Sequence, residues 1–159
     1  MSNIPLYGQN KDGDALGSVA SSRGYMKITA GVTLVGSEGG VIHIADSDAC
    51  AIVLPTITAG LDGLEYKFIM ANDAGGSITI TSADSAGNYY QGSLAVHQVD
   101  ADDGFAANGT SNNIITMNAT TTGGLLGSEV NLRSVVGVGW IVWGNVFGTN
   151  GTAATPFSG

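Results

Sequence analysis

The run from Val135 to Phe147 constrains the fold more than any other stretch, because it holds both tryptophans of the chain and its densest set of β-branched residues. It is too short to cross a bilayer as a helix, which takes roughly 20 apolar residues, and its glycines and β-branched residues disfavour a soluble helix. It therefore reads as a buried strand. Alternation places Val138, Trp140, Val142 and Gly144 on one face and Gly139, Ile141, Trp143 and Asn145 on the other, so each face carries an indole. A strand with large apolar groups on both faces needs cover on both, from a second layer of the same chain or from a neighbouring subunit. We expect Trp140 in the monomer core, with Val138 and Val142, and Trp143 nearer a subunit contact.

The rest of the chain carries the same texture. With Gly 25 and charged residues only 11% of the total, helices are disfavoured, and short strands with tight turns suit the composition. From Tyr25 onward short alternating runs are separated by turn residues: 25–30, 32–35, 41–45, 50–54, 64–70, 77–82, 94–99, 113–117 and 129–134 precede the tryptophan run. In Leu64–Met70 the pattern turns Leu64, Tyr66, Phe68 and Met70 inward and Glu65 and Lys67 outward. Asn72–Gly76 reads as a hairpin turn between two of these strands, and Asp100–Ser111 as an acidic loop. No repeat period is visible, which disfavours a solenoid or propeller. The expected architecture is all-β, a single β-sandwich or jelly-roll-like barrel over residues 25–147. An extended N-terminal arm over 1–24 and a short C-terminal tail over 148–159 flank it, the tail holding Pro156 and Phe157 as a small anchor. Ile4, Leu6, Tyr7 and Leu16 give the arm spaced apolar anchors.

One chain of 159 residues fits one domain, and at this size should bury roughly 70% of its unfolded surface. The formal charge of −8 comes with scattered bases, Lys11, Arg23, Lys27, Lys67 and Arg133. Nucleic-acid binding, which needs gathered Lys and Arg, is not expected. Neither a secretory signal nor a transmembrane segment is visible, so a membrane location is not expected and the product is expected in the cytoplasm, or released by lysis or within a particle.

Candidate chemistry is sparse. Cys50 lies in an apolar run with no histidine or base nearby in sequence, the setting of a small buried hydrophobe rather than a catalytic thiol. Asp12 and Asp14 lack the remaining ligands of a calcium loop. Asp46 with Asp48, and Asp100 with Asp102 and Asp103, are acid clusters of the kind that hydrolyse glycosides when suitably spaced, but acids among Gly, Ser and Asn in turns are ordinarily solvated. His43 and His97 alternate with apolar neighbours and lack partners at metal-ligand spacing. Tyr89, Tyr90, Trp140 and Trp143 are the residues from which a sugar platform could be built. No catalytic, cofactor-binding or metal-binding residue is assigned, and no enzyme activity is expected.

The order of elements Gly31-Val32-Thr33-Leu34, Gly40-Val41-Ile42-His43-Ile44, Ala51-Ile52-Val53-Leu54-Pro55, Ala59 to Phe68, Gly76 to Thr81 and Val138 to Gly144 resembles a module common in tailed-phage virion proteins. The likeness spans about residues 30 to 145. The opening Leu6-Tyr7-Gly8-Gln9-Asn10-Lys11-Asp12-Gly13 is similar to the start of small structural proteins of marine tailed phages. A chain of this size with little beyond the module resembles capsid decoration, or cement, proteins. The resemblance implies a homotrimer on the outer capsid surface, bound to the major capsid protein, with a terminal arm reaching across capsid subunits. Tail-fibre tips share such β modules, which implies glycan or receptor binding as the alternative.

Overall fold

The computed structural model describes residues 24–100, 102–149 and 151–159. The arm anchors Ile4, Leu6, Tyr7 and Leu16, and the acids Asp12 and Asp14, lie outside the described residues. Twelve strands form two sheets: β1 Tyr25–Ile28, β2 Val32–Thr33, β3 Ile42–Ala45, β4 Cys50–Val53, β5 Glu65–Met70, β6 Ile78–Thr81, β7 Tyr90–His97, β8 Asp102–Asn108, β9 Ile114–Met117, β10 Glu129–Val135, β11 Gly139–Phe147 and β12 Phe157–Ser158. The larger sheet runs β1-β3-β5-β10-β11-β7-β8 and the smaller β12-β9-β6-β4-β2. Helical structure among the described residues is two single 3-10 turns, Gly36–Glu38 and Ala59–Leu61. The protein is an all-β sandwich.

The first six strands alternate between the sheets, and neighbours within each sheet are parallel. The chain thus passes three times between the two sheets before the remaining strands complete the sandwich, a winding that leaves no repeat period in the sequence. The reason the period is hidden is the unequal length of the passes. Tyr25 pairs with Ile42 and Ile42 with Lys67 in the large sheet, while Val32 pairs with Ile52 and Ile52 with Ile80 in the small one. The same winding corrects the expected hairpin at Asn72–Gly76: β5 and β6 belong to opposite sheets, so that segment crosses between layers. The acidic loop expected over 100–111 is instead largely β8, an edge strand antiparallel to β7.

The tryptophan run is also divided differently. Val135 ends β10, Val136 to Val138 form the turn of a hairpin, and β11 starts at Gly139, central in the sheet between β10 and β7. Val138, expected on the buried face with Trp140, is exposed in that turn. Two glycines make the close packing around β11 possible. Gly92 (φ +110°) and Gly144 (φ +156°) sit where an added Cβ would lie 2.3 Å from the Val142 carbonyl oxygen and 2.1 Å from that of Glu129. Neither position has space for a side chain, nor a backbone that L-residues readily adopt.

The inner faces make one core. Tyr66, Phe68, Leu132, Trp140 and Leu94 from the large sheet meet Ile52, Ile78, Ile80, Ile115 and Met117 from the small one. Period-two alternation in each strand supplies these side chains. The Tyr90 hydroxyl crosses between layers to donate to the Ile80 carbonyl at 2.9 Å. The C-terminal segment joins the sandwich: β12 pairs with β9, and Phe157 is buried against the ring of Tyr90 at 6.4 Å.

Candidate functional site

Trp140 and Trp143 separate as the alternation predicted. Trp140 has no exposed surface and packs on Tyr66 at 5.7 Å between ring centroids, in a cluster that continues to Phe68 and His43. Trp143 points away from the core and keeps 43% of its surface exposed. Around it the outer face of the large sheet is assembled by register. One row across the strands reads Tyr25, Ile42, Lys67, Asn131, Trp143, and the next reads Lys27, Ile44, Ile69, Glu129, Asn145, Ala95. Apolar groups on this face thus form a band that no other part of the described chain covers.

The charges on the band are closed among themselves. Lys27 pairs with Asp46, Lys67 with Glu129 at 2.8 Å, and Arg133 with Glu65, whose carboxylate also accepts from Arg133 Nε at 2.7 Å. Lys67 and then Asn131 hold the Glu129 carboxyl below the usual range, and the bond to Asp46 raises Lys27. Beside Trp143 lies a hollow of about 170 Å³ bordered by Gly40, Ile42, Glu65, Lys67 and Asn131. The outer face of the smaller sheet is different in kind: Thr33, Thr79, Thr81 and Thr116 alternate there with Ala51, Val53 and Ile114, and among the described residues no aromatic residue or ion pair joins them.

At the far edge of the band His97 is held on three sides. Its Nε2 lies 3.0 Å from Asn145 Oδ1, its Nδ1 3.1 Å from Asp102 Oδ1, and its ring stacks on Phe147 at 5.4 Å. Two oxygen acceptors facing two ring nitrogens favour the doubly protonated ring, and the His97 pKa is raised, by Asn145 first and then by Asp102. This cluster was missed in the sequence because Asp102 fell in a segment read as loop.

The remaining candidates stay apart. Cys50 is buried, and burial pushes its thiol up, away from reactivity. His43 is fully buried between the rings of Tyr66 and Phe68, at 5.3 and 5.2 Å, and burial lowers its pKa. Asp46 faces Lys27, whereas Asp48 accepts from Asn72 Nδ2 at 2.9 Å. Asp103 accepts from the Gly104 backbone at 3.1 Å. Of the four aromatic residues of the sugar platform, Tyr90 and Trp140 are buried. Tyr89 lines a hollow with Gln91, Gly109 and Val138, separate from that of Trp143, and its hydroxyl donates to Asp84. Among the described residues no group of three or more His, Cys, Asp or Glu is gathered that could hold a metal ion. No helix there is long and apolar enough to cross a membrane.

No protein-family model matches the chain, and comparison with the curated proteins finds no match either.

Proposed function

We propose that this protein is a non-enzymatic structural component of a tailed-phage particle. It acts as a homotrimeric capsid decoration protein that binds the major capsid protein on the outer surface of the head and stiffens the shell. The observation that carries the reading is the outer face of the large sheet, where Tyr25, Ile42, Ile44, Ile69 and Trp143 are interleaved with ion pairs that satisfy one another. That is the composition of a protein contact, depleted of free charge at its centre and anchored on tryptophan. The sequence resemblance to decoration proteins agrees with it, and the sequence before residue 25 carries spaced apolar residues, Ile4, Leu6, Tyr7 and Leu16, suited to a capsid contact. In the experiment that tests this, purified protein is mixed with particles lacking it. Stoichiometric uptake onto heads is expected, and heads that take up none would remove the reading.

A second reading, a tail-fibre or surface module that binds glycans, is favoured by the hollow beside Trp143. There an indole face stands next to an amide and a carboxylate, Asn131 and Glu65. Binding to a glycan array or to host cells, lost in Trp143→Ala, is the result that would select it over decoration.

A further inference from the structure

We infer that the hollow at Tyr89 is a binding site for a neutral saccharide. The inference goes beyond both readings of the Trp143 face, whose hollow shares no residue with this one. The volume here is about 460 Å³, inside the range of roughly 300–1,000 Å³ typical of small-ligand sites. Tyr89, Gln91, Val138, Thr110, Gly87 and Gly137 are among its walls, and no charged side chain lines it. Three turns, 85–88, 109–112 and 136–138, meet there, at the end of the large sheet where β7 and β11 begin and β8 and β10 finish.

The site is held in place without a ligand. The Tyr89 carbonyl accepts from the Trp140 N–H at 3.1 Å, the next N–H, of Tyr90, donates to the Asn112 carbonyl at 2.8 Å, and the Tyr89 hydroxyl donates to Asp84 at 3.0 Å. The half-exposed ring is thus fixed at both ends. Asn108 Oδ1 accepts the backbone N–H groups of Thr110, Ser111 and Asn112, and the Asn88 N–H donates to the Ser85 carbonyl at 3.0 Å, so two of the turns are closed by their own bonds. A platform ordered in advance loses little entropy on binding.

Its chemistry selects the ligand. Gln91 Nε2 donates to the carbonyls of Gly109 at 3.0 Å and Val138 at 3.4 Å. Two carbonyls at one end of the amide make that end the NH₂, so the amide offers the hollow an acceptor, Oε1. An added Cβ at Gly109 would lie 2.4 Å from this oxygen, and only glycine leaves it open. Thr110 adds a hydroxyl, while Tyr89 and Val138 supply an aromatic and an aliphatic surface. A pyranose answers each group, with one C–H face for the ring and hydroxyls that donate to the acceptors. An anion, which only accepts, finds no lysine or arginine there, and a chain with a formal charge of −8 repels it. Phosphorylated and carboxylated sugars are therefore disfavoured.

The test uses the full chain in two arms, a calorimetric or NMR titration with methyl hexosides at millimolar concentration and an array of neutral and acidic glycans. Binding to neutral members and not to acidic ones is expected. The titration reads a free sugar and the array a glycan chain, so binding on the array alone supports the inference and makes a chain the source. Tyr89→Ala is expected to weaken binding by at least about tenfold, the scale of a lost aromatic contact. Thr110→Leu, which removes a hydroxyl from an exposed turn and puts bulk in the hollow, is expected to act in the same direction and covers the case in which Tyr89→Ala does not fold. A wild type that binds no neutral saccharide in either arm overturns the inference, as do folded Tyr89→Ala or Thr110→Leu proteins that bind as the wild type does. Binding lost in Trp143→Ala and kept in Tyr89→Ala also overturns it and selects the Trp143 hollow. Uptake onto heads is read separately. A protein that binds saccharide through Tyr89 and ignores heads upholds this inference and removes the decoration reading, and one that loads onto heads but binds no saccharide does the reverse.

Discussion

Trp140 and Trp143, three positions apart on β11, face opposite sides of the seven-stranded sheet, the first with no exposed surface and the second with 43% exposed. Their truncation should therefore separate folding from assembly. Trp140→Ala empties a site lined by Tyr66 and should remove about 3–5 kcal/mol of stability. In a chain of this size that is a fall in Tm of roughly 6–20 °C. Trp143→Ala should leave the monomer's melting point within a few degrees and act on association. Equal falls in Tm for the two variants would place both indoles in the core.

His43 makes stability depend on pH in a defined direction. Burial lowers its pKa below the ordinary value near 6.5, so between the two values the unfolded chain binds a proton that the folded chain does not. Stability is then full above about pH 6.5 and falls as the pH drops from there through the folded-state value. His43→Leu, which removes a buried titratable ring, should flatten the Tm profile below about pH 6.5 and raise Tm most at the acid end. A variant profile parallel to that of the wild type would show that His43 does not titrate in this window.

His97 works in the opposite sense. Its raised pKa means that the folded state holds the proton more tightly, so its contribution is complete below about pH 6.5 and is lost as the pH rises through the folded-state value. The ring is half-exposed and Asp102 is largely exposed, so the energy involved should stay under about 1 kcal/mol and shrink with salt. An NMR titration should find the His97 pKa above that of a free histidine, and reduced by both Asn145→Ala and Asp102→Asn. No change in either variant would break the assigned geometry.

Much of the sandwich was legible because alternation is a local property. Tyr66, Phe68 and Met70 inward and Glu65 and Lys67 outward follow from period two alone, as does the opposition of Trp140 and Trp143. Which strand lies beside which was not legible. Parallel pairing of β1 with β3 and of β3 with β5 depends on crossings through the other sheet, and these crossings differ in length, so the sequence shows no period. Asp102 to Asn108 escaped for a different reason. An edge strand of two Asp, Gly, two Ala and Asn, with Phe105 as its one large apolar residue, has little apolar content to alternate, and its pairing comes from β7 rather than from its own propensity. The outer band could not be read either, since its members come from six strands and meet only through register.

Glycines inside strands offer a cleaner test of the packing than those in turns. Gly144→Ala and Gly92→Ala would each drive a Cβ into a neighbouring backbone carbonyl at a φ that alanine resists. Each should lose at least about 1–3 kcal/mol, the range for a forced backbone conformation, with the steric term added to it. Gly104→Ala, on edge strand β8, has nothing within 4 Å of the added methyl and should melt within a degree or two of the wild type. Comparable melting points for all three would contradict the close approach of β11 to β10 and β7.

The N-terminal sequence provides the last test. Among the described residues the buried apolar core begins at Ile28, and the sequence of 1–18 offers little periodic apolar pattern for a strand but carries Ile4, Leu6, Tyr7 and Leu16 at intervals suited to a partner. Deleting 1–18 should therefore leave the far-UV spectrum and the melting point of the domain close to those of the full chain. Uptake onto heads should fall much further, because each buried anchor lost from a contact removes about 1.5–3 kcal/mol of burial and two together amount to a change of more than a hundredfold. Restoring the segment with Leu6 and Tyr7 both changed to Ser should reproduce most of the loss if the anchors, rather than the length of chain, make the attachment. A truncated protein that loads normally, or one that no longer folds, would assign the segment to another role.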